Sequence, residues 1–89
     1  MSSLAELQHA LDVYGSAMYW RAVAAGSASR SQSDAEAVAG TLRERAVAAG
    51  CSTEQLDDAA SYAARCAADR RKPLTAAVSF EEFRRINGL

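Results

Sequence analysis

The chain has 89 residues, 49% of them hydrophobic, with ten Lys and Arg against eleven Asp and Glu for a formal charge of −1. That length holds one core and leaves no room for a second. The near balance of charge argues against a general nucleic-acid binder, which carries a strong positive excess.

Alanine fills about a quarter of the positions. It is the strongest helix former but buries little area, so an alanine-rich core holds only if its helices approach closely. No stretch nears the ~20 apolar residues that cross a bilayer. The start of the chain shows no basic region, apolar run and cleavage site of a secretory signal, so the expected location is the cytoplasm. Two cysteines do not make a disulfide framework.

Taken in order, Ser3 and Glu6 match a capping box, which predicts a first helix from Leu4 to about Ala25 with Gly26 as a left-handed cap. Leu4, Leu7, Leu11, Tyr14 and Met18 fall on one stripe of that helix, and Ala10, Val13, Ala17, Trp20 and Ala24 on a second. A surface helix needs one apolar stripe; two predict neighbours on both sides. Gly15, inside this helix, costs about 1 kcal/mol relative to Ala.

Residues 26–33, Gly-Ser-Ala-Ser-Arg-Ser-Gln-Ser, are small and polar and predict an exposed connector. Ser33 and Glu36 then form a second capping box. The helix behind it carries Ala35, Val38, Leu42, Ala46 and Ala49 on one side and closes at Gly50. The next junction has the clearest local signals. Ser52 and Gln55 make a capping box, and Cys51 and Leu56 occupy the two positions of a hydrophobic staple. The third helix is predicted over about Thr53–Arg70, antiparallel to the second across the tight turn. Its seam is Leu56, Ala59, Ala63 and Cys66, with Tyr62 on the flank.

Pro73 stops that helix by pushing Lys72 out of helical geometry, and Leu74 to Val78 form an apolar connector. Ser79 with Glu82, and Val78 with Phe83, give a last box and staple. A short helix over about Phe80–Asn87 is expected to bury Phe80, Phe83 and Ile86, with Asn87-Gly88 as terminator.

The motifs that could carry chemistry are sparse. Glu6-x-x-His9 has the spacing of a di-iron ligand pair, but one copy without a second histidine makes no metal site. Cys51 serves as a staple and Cys66 lies on an apolar seam, and about 22 Å of helix separates them, so neither an activated nucleophile nor a disulfide is expected. Asp57-Asp58 and Glu81-Glu82 point about 100° apart and cannot share a substrate atom. No phosphate-cradling glycine loop is present. Val78 to Phe83 looks like the exit of an EF-hand loop, yet Arg71, Pro73 and Ala76 fall where calcium needs oxygen ligands and a glycine.

Ala46-x-x-x-Gly50-Cys51-Ser52-x-x-x-Leu56 resembles the middle of a helix-turn-helix. That resemblance implies a DNA-binding regulator, with Arg65, Arg70, Arg71 and Lys72 as a patch for phosphates or an acidic partner. Against it, the would-be recognition helix opens with Glu54, Asp57 and Asp58 where base-reading helices place Arg, Lys, Asn or Gln.

The sequence thus predicts one all-α domain over residues 1–89, a compact bundle of three main helices plus a short C-terminal helix. No enzyme, cofactor or metal is expected. The function expected is that of a small regulatory or adaptor module bound to a protein partner or to copies of itself. Tyr14, Met18, Tyr19 and Trp20 are its candidate contact residues, since aromatics and Met are enriched at interface cores.

Overall fold

Ser3 opens helix α1, Leu4–Ala24, with the predicted capping box: its hydroxyl accepts the Glu6 N–H at 3.1 Å and the Glu6 carboxylate accepts the Ser3 N–H at 3.4 Å. The computed structural model describes residues 3–25, 30–69, 71 and 79–89. The predicted cap at Gly26, the stop at Pro73, the connector 74–78 and the staple residue Val78 lie outside them. The other helices are α2 (Arg30–Ala48), α3 (Thr53–Ala68) and α4 (Phe80–Ile86). The fold is the predicted all-α bundle of three long helices and a short fourth.

Helix α1 is its axis. Both α2 and α3 pack along α1 extensively, whereas α2 and α3 meet each other only marginally. The sequence explains this arrangement. Apolar residues surround much of α1, so it has two faces to cover. On α3 they are confined to one side, which fits a helix with a single neighbour.

Three clusters make the core. Ala17, Val38, Ala39, Leu42 and Phe83 join α1, α2 and α4. Tyr14, Ala46, Cys51 and Leu56 join α1 to the turn between α2 and α3. Tyr19, Ala63 and Cys66 close the far end of α3 against α1. Met18 packs against all three, so one flexible side chain fills the irregular space where they converge.

The α2–α3 turn follows its local signals closely. Gly50 has φ +105°, and the chain leaves α2 through paired bonds from Gly50 N–H to Val47 O and Cys51 N–H to Ala46 O, both 3.0 Å. This is the Schellman arrangement that satisfies the last carbonyls of a helix. Ser52 and Gln55 then cap α3 reciprocally, at 3.2 and 2.8 Å. Cys51 and Leu56 share one buried cluster, as a staple requires. A second Schellman turn ends α4 at Gly88, φ +72°, with Leu89 N–H on Arg84 O at 2.9 Å.

Four expectations need correction. Helix α2 begins at Arg30, so Ser33 lies inside it, no capping box forms with Glu36, and the connector is shorter than 26–33. No Gly or Pro interrupts residues 30–39, and tertiary contacts hold the early turns: Ala35 is buried and Asp34 pairs with Arg84 at 3.7 Å. Leu4, expected on the buried stripe, is 81% exposed. Helical spacing marks a face but not where the neighbouring helix stops. Ile86 is 65% exposed, because Leu89, turned back by the Schellman turn, packs on the cluster around Phe83. At the start of α4 only half the box is made: Ser79 caps the Glu82 N–H at 3.2 Å, while the Glu82 carboxylate turns to Arg85.

Candidate partner-binding groove

Between α1 and α2 lies a groove of about 380 Å³, lined by Tyr14, Met18 and Arg21 from α1 and by Glu36, Ala39, Gly40 and Arg43 from α2. Its geometry follows from residue size. Ala39 and Gly40 bring little bulk from α2, and nothing lies within 4 Å of where a Cβ on Gly40 would stand. Met18 and Ala39 supply an apolar floor. Arg43 donates from Nη1 to the Tyr14 hydroxyl at 3.3 Å, so its guanidinium is held beside the groove. Arg21, Arg43 and Glu36 are all exposed, and together they leave one net positive charge at the rim.

Of the four predicted contact residues, two line this groove and all four take part in the chain's own packing. Tyr14 and Tyr19 are only 3% and 6% exposed. Trp20 stands edge-on to Tyr19, centroids 5.1 Å apart, and tilts over Phe80 at 5.8 Å. Tyr19 therefore belongs to the interior and Trp20, half-buried, packs against it, while Tyr14 and Met18 line the groove. The sequence reading missed Arg21, Glu36, Gly40 and Arg43. Arg43 sits one position past Leu42 on the apolar stripe, the flank from which a long cation reaches a helix–helix boundary.

The predicted basic patch is not assembled in the same way. Arg65 and Arg71 are exposed, and Arg71 pairs with Asp69 at 3.6 Å. Arg70 and Lys72 lie outside the described residues. A smaller hollow of about 170 Å³, lined by His9, Ala10, Val13, Leu42, Arg45 and Asn87, lies between α1, α2 and the end of α4. Arg45 crosses it to donate to the Asn87 carbonyl at 2.9 Å, a cation on the negative end of α4.

Glu6 is engaged in its cap and His9 is exposed. Among the described residues no three His, Cys, Asp or Glu side chains are grouped as a metal site would need. Cys51 and Cys66 are buried, free thiols. Desolvation raises the pKa of Cys51, whose Sγ lies 3.7 Å from the Leu7 carbonyl, and so favours the neutral thiol over the nucleophilic thiolate. No described helix is long and apolar enough to cross a membrane.

No family model, no curated protein and no solved structure matches this chain. The residues themselves must carry any functional reading.

Proposed function

We propose that the protein is a small, non-enzymatic interaction module that receives part of a protein partner in the α1–α2 groove. One observation carries this reading: an apolar floor of Met18 and Ala39 lies beneath two exposed guanidinium groups, one of them held in place by a buried tyrosine. Apolar centres with Arg and Tyr at hand are the anchors that dominate protein interfaces. The exposed aliphatic residues Leu4, Val23, Val47 and Ile86 are spread over α1, α2 and α4, and such scattered residues are ordinary on a monomer surface. Duplex binding has weaker support, because Glu54, Asp57 and Asp58 are exposed on α3 and phosphates repel them.

The test uses the immobilised chain beside two variants, Gly40→Gln and Arg43→Glu, in extract of its native cell. Gly40→Gln fills the groove from a position with free space, and Arg43→Glu reverses its charge. At least one protein should be retained by the parent chain and lost at least about tenfold by both variants, a change of about 1.4 kcal/mol. Equal retention by all three chains, or duplex binding that falls steeply with salt, would overturn the reading.

A further inference from the structure

We infer that the occupant of the groove is the outer face of α3 from a second copy of this chain, which rests on the interaction reading above. Laid antiparallel, the two surfaces match in charge order and overall length. Along one side of α2 the groove presents Arg43, then the bare position Gly40, then Glu36. Along the outer side of α3 run Asp58, Tyr62 and Arg65, all exposed, with Tyr62 at 50%. Both sets span eight residues, seven steps of helix or about 10.5 Å. Each carries its opposite charges at the ends with a gap or a ring between them. Laid together, Asp58 meets Arg43, the Tyr62 ring enters over Gly40 and Met18, and Arg65 meets Glu36. Glu54, one turn before Asp58, adds a second carboxylate at the Arg43 end.

None of Arg21, Glu36, Arg43, Glu54, Asp58 or Arg65 has an intrachain ion pair among the described residues. Their charges are open to a partner. The groove lies between α1 and α2, whereas α3 packs on another side of α1 and scarcely meets α2. One copy therefore cannot fill its own groove. Because the two patches differ, each contact either is repeated reciprocally in a two-fold dimer or continues head-to-tail into a ring or filament. A net charge of −1 per chain offers little long-range repulsion to such stacking. A single helix in a shallow groove is a small interface, so the association is concentration-dependent and, being partly ionic, weakens with salt.

Analytical ultracentrifugation of the chain, from micromolar to millimolar concentration, decides the matter. The weight-average mass should climb above that of a monomer as concentration rises and fall back as salt is added. Arg43→Glu and Asp58→Arg should each weaken association at least about tenfold. Mixed together they should associate again, since the Asp58 face of the first fits the groove of the second and the two reversed charges pair with each other in turn. Should Arg43→Glu fail to fold for want of its bond to Tyr14, the exposed pair Glu36→Arg and Arg65→Glu is predicted to give the same pattern. A parent chain of monomer mass throughout, single variants that associate like the parent, or a mixture that stays monomeric would each overturn the self-contact. If a monomeric parent still retains a cellular protein that Gly40→Gln loses, the self-contact alone falls and the interaction reading stands.

Discussion

The two flanks of α1 are built on opposite plans. On the α3 side Leu56, Ala63 and Cys66 are each about 1% exposed against Tyr14, Tyr19 and Met18, and the turn that delivers α3 has its helix-end carbonyls and amides satisfied locally. On the α2 side a comparable set, Val38, Ala39, Leu42 and Ala46, buries its methyl groups yet leaves a groove rimmed by Arg21, Glu36 and Arg43. The difference teaches where stability and recognition reside. A flank closed by small and aliphatic residues offers a partner little; one that ends in long charged side chains over a bare glycine does.

Variants should separate the flanks, and the largest effect is expected on the closed one. Leu56→Ala removes a side chain that nothing can replace, and should cost about 2–5 kcal/mol and lower the melting temperature by roughly 10 °C or more. A loss under about 1 kcal/mol in urea unfolding would mean that this flank is not close-packed.

Gly50→Ala tests the turn. Its φ of +105° strains any L-residue, although the nearest atom to the added Cβ is Leu7 Cδ1 at a comfortable 3.7 Å. The expected cost is about 1–3 kcal/mol, so it reads backbone strain rather than a clash. An unchanged melting curve would show that the turn relaxes.

Two glycines give a matched pair, one on each flank. A Cβ on Gly15 would stand 3.9 Å from Ala59 Cβ, an ordinary contact, and a Cβ on Gly40 meets nothing. Each glycine-to-alanine change should therefore stabilise by up to about 1 kcal/mol through helix propensity alone. Destabilisation by Gly15→Ala would reveal a closer α1–α3 approach than the geometry shows.

The smallest effect concerns pH. Burial raises the Cys51 pKa, so the folded chain holds that proton more tightly than the unfolded one. Its contribution is complete below the unfolded thiol pKa of about 8.5 and is lost as pH rises from there through the folded value. Stability of the parent should fall more steeply above that pH than stability of Cys51→Ala. Parallel curves would falsify the assignment.

Most of the fold was legible in the residues. The two stripes of α1, the seams of α2 and α3, and the Gly50–Ser52 junction are statements about neighbours within a turn or two of helix. Local sterics and backbone hydrogen bonds decide those. The start of α2 differs from the expectation because Ser33 and Glu36 suit helix interior as well as a cap, and no Gly or Pro within residues 30–39 marks a break. Leu4 and Ile86 misled because periodicity says which side is apolar and never how far the neighbour extends.

By itself the sequence determined an all-helical chain, a two-faced first helix and the turn between its second and third helices. Each follows from interactions among residues close in the chain. Tertiary packing alone settled that Tyr19 is interior with Trp20 half-buried against it, that Tyr14 orients Arg43, and that Arg21, Glu36 and Gly40 border one groove. Those facts depend on how two helices pack and on residues up to 29 positions apart in the chain, and no local preference encodes that packing.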